Sequence, residues 1–297
     1  MPDTHFIKYP YTPCPLEKTI EVTALHTAFV HRMAPGYSSE MESHNFWELL
    51  VVLDGEVSMV TGENVFLLTR NRMLLHPPME FHRHLNPNQE KNVYAVISFS
   101  ADRLPVSEKS IYKLSTSDVL EFRAIIRLIR EQYETDKICV LQKKPTARPS
   151  IDQEVKSRLE FFLSTALFSR VSPFTHTNQD YRRIVSFLTE NLHRNLTLPV
   201  MAQELKMSVS NLKRVFSLYS GMGLMKYFNQ LKFQKAVTLL EEGHSVREVS
   251  EMLSFSSQSV FSSAFKATMG LPPSKYRRRR GVRADNACTV HTLSLLP

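Results

Sequence analysis

No stretch of the 297 residues approaches the roughly 18 apolar residues that a membrane span needs. The longest apolar run, around Leu49 to Leu53, has the length of a strand. The segment from Met1 to Pro10 lacks an apolar core of signal-peptide length, so the expected location is the cytoplasm and no membrane partner is expected. Cysteine is scarce. Cys14, Cys139 and Cys288 lie far apart and no two have CxxC spacing. An odd, dispersed set excludes a disulfide framework and a zinc finger, and all three read as plain thiols. A hydrophobic fraction of 42% with 22% charged residues excludes a collagen, a coiled-coil rod and bulk disorder. The length suffices for two domains, each with its own core.

What is present is an uneven distribution of charge. From Thr175 to the end there are 17 Lys and Arg against 8 Asp and Glu, whereas the residues up to Phe174 carry 20 against 21. The whole net charge of +8 therefore comes from the C-terminal part, the asymmetry that a polyanion-binding domain produces.

Two kinds of patterning divide the chain. In the first hundred residues, short segments rich in Val, Ile, Leu and Phe predict strands over Ile20 to Arg32, Phe46 to Leu53, Glu56 to Thr61, Val65 to Leu68, Arg72 to His76 and Asn92 to Phe99. Turn residues separate them, among them Asp54-Gly55, a strong hairpin signal. Many short strands at this spacing imply a sandwich or barrel. After Pro105 the apolar spacing becomes helical, first through Val119, Phe122, Ile125, Ile126, Ile129 and Tyr133, then through Val155, Leu159, Phe162, Leu163 and Ala166. Both helices are expected to pack on the β region, or one of them to form a dimer seam as well. Leu141 to Pro149, basic and carrying two prolines, reads as a loop, and Val171 to Gln179 as a linker.

The region from Asp180 to about Arg280 reads as helix and contains an approximate internal repeat. One copy runs from Met201 through Ala202, Leu205, Met207 and Leu212 to Phe216; the other runs from Val249 through Ser250, Leu253, Phe255 and Phe261 to Phe265. Ala202 and Ser250, 48 residues apart, correspond. Each copy reads as a short helix, a tight turn and a second helix that Ser208, and Ser256 or Ser257, can cap. A small residue at the crossing lets the two helices approach closely, as in a helix-turn-helix unit whose second helix lies in the major groove. Between the copies, Leu224 to Leu240 makes one amphipathic helix closed by Gly243. At 1.5 Å per residue it is about 25 Å long, which separates the units by roughly one DNA turn.

Residues Asp180 to Arg280 resemble the DNA-binding domain of the AraC/XylS family of bacterial transcription regulators. The residues that carry this are Leu196-Thr197-Leu198, Leu212-Lys213-Arg214-Val215-Phe216, Tyr219-Ser220-Gly221-Met222 and Tyr227. The end matches most closely, from Phe255-Ser256-Ser257-Gln258 through Phe261 and Phe265-Lys266 to Gly270-Leu271-Pro272-Pro273-Ser274 and Tyr276-Arg277. The chain departs from the family at the turns, where Lys206 and Ser254 replace the usual glycine; a non-glycine residue there costs roughly 1 kcal/mol. The resemblance implies base reading by Ser210, Asn211, Lys213 and Arg214 in the first unit and by Gln258, Ser259 and Ser263 in the second. Arg277 and the arginines after it are expected to hold phosphate. Phosphate contact or plain solvation is the competing reading for each base-reading residue.

The β region resembles the cupin-like sensor domain of many members, on His44-x3-Glu48-x6-Gly55 and Pro77-x4-His82-x3-Asn86. Strand parity puts His44 and Glu48 on one face of a strand and His82 and His84 on one face of another, and the effector-binding residues are expected to be His44, Glu48, His82 and His84. Three readings stand side by side: a polar pocket for an organic effector, using Trp47 or Phe46 as well; a metal on His44, Glu48 and His82; or histidines satisfied at a barrel rim. Glu42 and Met79 stand where metal cupins carry histidine and glycine, so neither a metal nor a cofactor nor any catalytic residue is expected. Trp47 has the opposite parity and is expected to pack outside, against a helix.

The expected fold is therefore two-domain, an N-terminal all-β cupin-like barrel plus helical linker and a C-terminal all-α domain with two helix-turn-helix units joined by a long helix. The expected boundaries are 1–105 for the effector-binding domain, 106–174 for the helical linker, 175–280 for the DNA-binding domain and 281–297 for a tail. The expected partners are double-stranded DNA, a small-molecule effector (a sugar being the class the family suggests), a second copy of the chain and, for an activator, RNA polymerase. No enzymatic activity is expected.

Overall fold

The computed structural model describes residues 14–86, 90–106, 111–135, 141–167, 170–171 and 178–277. Cys139, Cys288, the expected tail and most of the expected linker lie outside the described residues; Cys14 is exposed.

The N-terminal half is built on a sheet of order β1-β7-β2-β5-β8-β11 and a smaller one of order β4-β3-β6. The strands of the larger sheet are β1 (Glu21–Met33), β2 (Trp47–Asp54), β5 (Arg72–His76), β7 (Asn92–Arg103), β8 (Ile111–Lys113) and β11 (Arg170–Val171). Those of the smaller are β3 (Glu56–Thr61), β4 (Asn64–Thr69) and β6 (His82–Leu85). The large sheet is buried on both faces, and strand parity decides which residue serves which. Leu50 and Val52 of β2, Leu74 of β5 and Tyr94 and Val96 of β7 face Met59, Phe66 and Leu68 of the small sheet. Their sequence neighbours Leu49, Val51, Leu53, Leu75, Ala95 and Ile97 face the opposite way. There they meet α1 (Thr116–Gln132) and α2 (Ile151–Ala166) through Phe122, Ile125, Ile129, Leu159 and Phe162. Burial on both faces explains why Leu49 to Leu53 is uniformly apolar and does not alternate. Trp47 packs against this outer core, as its parity requires.

Five short strands lay outside the apolar sequence pattern, β11 among them. β6 reads His-Arg-His-Leu and has no apolar alternation. β8 has three residues. Leu141–Lys143, expected as loop, instead pairs as β10 with β9 (Tyr133–Thr135); this pairing continues directly from the end of α1, where local propensity carries little information.

The C-terminal half consists of α3 (Gln179–Glu190), α4 (Leu198–Glu204), α5 (Val209–Ser220), α6 (Leu224–Glu241), α7 (Val246–Met252), α8 (Gln258–Met269) and α9 (Pro273–Arg277). α4–α5 and α7–α8 are the two units, and α6 joins them. Leu205, Leu212 and Phe216 share the first core with Tyr181, Ile184, Tyr227 and Phe228. Phe233, Leu240, Val249, Leu253, Phe261 and Phe265 make the second. Lys206 and Ser254 take φ of 54° and 53°, so both turns keep the left-handed backbone despite lacking glycine. Gly243, at φ 104°, ends α6, and His244 N–H donates back to Leu239 O at 3.0 Å.

Two sets of contacts fix the relative placement of these parts. The buried Lys232 ammonium on α6 donates to Arg194 O, ahead of the first unit, and to Leu253 O, in the turn of the second, both at 2.8 Å; burial pulls its pKa down to about 8. The β half joins the first unit directly: Met41, Val60, Val65 and Phe81 share the core of α3, α5 and α6. Tyr181 Oη donates to Gly62 O at 3.2 Å, Arg83 Nη1 to Tyr219 O at 3.1 Å and Gln234 Nε2 to Ser43 Oγ at 2.9 Å.

Candidate nucleic-acid interface and buried histidine cluster

Both second helices begin on a serine that accepts from an otherwise orphaned backbone donor. Ser208 Oγ takes Asn211 N–H at 3.2 Å, and Ser257 Oγ takes Val260 N–H at 3.1 Å. Each cap fixes where the helix starts and hence which side chains surround its N-terminal turn. In α5, Ser210, Lys213 and Arg214 are exposed and Asn211 is half-buried; in α8, Gln258, Ser259 and Ser263 are exposed. Leu212, Val215 and Phe216 on one helix, and Phe261 and Phe265 on the other, face the core, so the polar residues occupy the opposite faces. Arg214 Nη2 donates to Asn211 Oδ1 at 2.9 Å, which holds the guanidinium along the helix face. α9 ends at Arg277, whose side chain lies outside the described residues. The sequence analysis passed over Val260, 51% exposed in the first turn of α8. The signal was available: an apolar residue one position before the buried Phe261 does not fit the core stripe.

The second site lies between the two sheets. Glu48 of β2, His76 of β5, and His82 and His84 of β6 come together there with His44, which lies ahead of β2 and not on the strand expected to carry it with Glu48. His82, His84 and Glu48 are buried; His44, with 12% side-chain exposure, is the most accessible. His44 Nε2 stands 3.4 Å from Glu48 Oε2. His82 Nε2 and His84 Nε2 stand 3.4 and 3.7 Å from Glu48 Oε1. Phe46 stacks on His44 at 3.9 Å between ring centroids, and His76 stacks on His82 at 4.2 Å. Sequence reasoning missed His76, because its neighbours Leu74 and Leu75 mark β5 as a plain core strand.

Electrostatics separates the members of the cluster. Burial opposes ionisation of Glu48, but the facing His82, together with His44 and His84, outweighs it and holds the carboxyl well below its usual range. Burial likewise opposes charge on His82, and Glu48 reverses this, lifting it to about 9. His76 and His84 go the other way, to about 4 and about 3, through burial and, for His76, repulsion from His82.

The segment carrying His82 and His84 has a second face. Alternation along Phe81–Leu85 turns His82 and His84 toward Glu48, while the intervening residues meet the DNA-binding half. Phe81 packs on Tyr227 at 5.0 Å between centroids. Arg83 donates to Ser39 O and to Tyr219 O and lies under Gly221, where a Cβ would come within 2.3 Å of its Nη1. Met79, in place of the glycine of metal cupins, takes φ 65° and its N–H donates to His44 O at 2.6 Å.

Two family models match. The AraC-like ligand binding domain matches residues 25–136, and a helix-turn-helix domain matches residues 201–279. The HTH-type transcriptional regulator YfiF of Bacillus subtilis is 22% identical over 258 residues, covering 82% of this chain and 81% of its own. The XylDLEGF operon transcriptional activator 1 of Pseudomonas putida is 27% identical over 152 residues, covering 49% of this chain and 46% of its own. Among solved structures, ToxT of Vibrio cholerae aligns over 86% of this chain and 98% of its own, at 18% identity and a TM-score of 0.37. No helix among the described residues is long and apolar enough to cross a membrane. With a ligand-binding domain ahead of a paired helix-turn-helix domain, each matched by its own family model, this chain belongs to the AraC family of DNA-binding transcription regulators.

Proposed function

We propose that the chain binds a specific double-stranded operator by laying α5 and α8 in successive major grooves, and that a small molecule in the histidine cluster governs how it does so. The observation that carries the reading is the pair of serine-capped helices with polar outer faces, one in each unit. Arg214 has the donors to pair with guanine O6 and N7, Asn211 and Gln258 the amides to pair with adenine. Ser210, Lys213, Ser259 and Ser263 flank them, and Val260 offers a methyl surface for thymine. Arg277 is assigned to phosphate.

His44, Glu48, His82 and His84 form the effector site. Its coupling to DNA runs through Phe81–Leu85, because a ligand that moves His82 or His84 moves Phe81 and Arg83 on the same strand. Those residues hold Tyr227, Tyr219 and Gly221 of the DNA-binding half. The effect on DNA binding is a coupling free energy between the two sites. A sugar is one effector class the family suggests, the protein acts in the cytoplasm, and RNA polymerase is the further partner if the chain is an activator, as the Pseudomonas relative is by name. It is not assigned any catalysis. A second copy is the expected partner across α1 and α2, which leave Leu120 and Phe161 63% and 61% exposed.

The test is a mobility shift of the full-length chain on DNA from its own gene neighbourhood, with random DNA as competitor. A discrete, competitor-resistant complex is expected, and sequence-blind binding alone would refute the reading. Arg214→Ala should weaken the specific complex by roughly 1–3 kcal/mol and relax preference at one base pair; equal loss on random DNA would reassign it to phosphate. For the dimer, sedimentation of the Leu120→Glu, Phe161→Glu variant should give a monomer.

A further inference from the structure

We infer that the buried cluster is a binding site for a divalent transition-metal ion, with Glu48 as carboxylate ligand, the Nε2 atoms of His44 and His82 as nitrogen donors, and His76 and His84, the second trio on Glu48, close beside them. Four observations carry this independently of strand pattern or family.

The first is the orientation of the rings. His44 Nδ1 and His82 Nδ1 stand 3.0 Å from Phe46 O and Glu80 O. A carbonyl oxygen only accepts, so in both rings Nδ1 carries the proton and, in the neutral imidazole, Nε2 presents a lone pair. His76 Nδ1 stands 3.0 Å from Glu80 Oε2, and His84 Nδ1 3.1 Å from Tyr94 Oη. All four rings are thus held from behind at Nδ1, as metal-ligating histidines are.

The second is what the front of the cluster lacks. Nε2 of His44, His76, His82 and His84 and Oε1 of Glu48 are buried without a hydrogen-bond partner among the described residues. Five such atoms left unpaired in one core carry a large desolvation cost, and wherever a ring is neutral with its proton on Nδ1 its Nε2 presents a lone pair beside Glu48 Oε1. A cation placed among these atoms would satisfy several of them at once.

The third is distance. The separations of 3.4, 3.4 and 3.7 Å between imidazole nitrogens and the Glu48 oxygens exceed a normal N–H···O bond. Two donors about 2.1 Å from one ion at a tetrahedral angle are roughly 3.4 Å apart. His44, Glu48 and His82 form one trio, and Glu48, His76 and His84 another, each with donor atoms within 4.8 Å of one another.

The fourth is chemistry. An imidazole-rich set with one carboxylate and no thiolate suits Zn²⁺, Co²⁺, Ni²⁺ or Fe²⁺ rather than Ca²⁺ or Mg²⁺. Because both trios use the same carboxylate, one ion per chain is expected. The lack of the paired histidine before the glutamate is made good by His76 and His84, which the sequence motif does not include.

The consequence for DNA rests on the effector reading above; ion binding does not. The experiment strips the full-length chain with a chelator and titrates it with Co²⁺, and with Zn²⁺ against a chromogenic chelator. One equivalent should bind, with the visible absorption of four- or five-coordinate Co²⁺ and a raised Tm. Glu48→Gln and His82→Gln should abolish stoichiometric binding. His84→Gln and, acting from behind the ring, Tyr94→Phe should weaken it about 10- to 100-fold. Circular dichroism of each variant checks the fold, and Tyr94→Phe removes a single oxygen. Absence of saturable binding by these ions, or binding that Glu48→Gln leaves unchanged, would overturn the inference. Operator binding measured in the same samples separates the two claims. If the ion binds and neither it nor any metabolite alters operator binding, the gating reading fails and the ion site stands. If no ion binds but an organic molecule alters operator binding, the ion site fails and gating stands.

Discussion

The two helix-turn-helix units share a plan and differ in what surrounds them. The first is embedded: its core continues into the β half through Met41, Val60, Val65 and Phe81, and its C-terminal cap, Gly221, rests on Arg83. The second packs on α6, α9 and itself through Phe233, Phe255, Phe261, Phe265 and Tyr276. Its recognition helix also bears less charge, with Gln258, Ser259 and Ser263 where the first offers Asn211, Lys213 and Arg214. Duplicated sequence therefore does not mean duplicated role. On the proposed reading, a ligand in the β half would act first on the unit that touches it, and the other unit would follow through α6.

The largest expected effects come from emptying each core. Phe216→Ala and Phe265→Ala should each destabilise by about 3–5 kcal/mol. Hydrogen exchange then distinguishes the units: Phe216→Ala should lower protection in β3 and β4 as well, whereas Phe265→Ala should leave them unchanged. Equal spread into the sheet from both variants would erase the asymmetry. Lys232→Met addresses the joint between units. Removing the ammonium leaves Arg194 O and Leu253 O without their donor, at a cost of about 1–3 kcal/mol, and denaturation should split into two transitions.

Gly221→Ala should cost about 1–2 kcal/mol through its left-handed backbone and displace Arg83. It is also expected to reduce the effector dependence of operator binding more than it reduces binding itself, measured by mobility shift with and without ligand. The smallest effect is a gain. Lys206→Gly relieves a left-handed lysine and should raise stability by at most about 1 kcal/mol, since glycine also adds freedom to the unfolded chain. Ser254→Gly should gain less in a Tm comparison, because Ser254 Oγ also donates to His193 O.

Much of this was legible from the chain alone. Apolar runs and the Asp54-Gly55 turn place β2 and β3 within a residue or so. The 48-residue repeat and its serines mark both recognition helices, because a helix-turn-helix unit is specified by local features: a cap, a tight turn, a small crossing residue and a 3-4 stripe. Even the departures at Lys206 and Ser254 fall on the positive-φ turns. Parity put His82 and His84 on one strand face, but the pairing of polar β6 was not legible, since nothing apolar marks it and its partners β3 and the Glu42 bridge are distant in sequence. For the same reason a sequence motif reaches His44, Glu48 and His82 but not His76.

Sequence by itself thus determined the long strands and the helices, the family and the polar outer faces of α5 and α8, all of which depend on residues within a few turns of one another. Only the tertiary structure decided that four imidazoles from three separate segments are turned by their Nδ1 partners to face one carboxylate, and that the other face of Phe81–Leu85 presses on the first unit. Those outcomes depend on which face of each strand is left over after the two sheets and two helices have filled their cores, and that is settled only when all of them pack together.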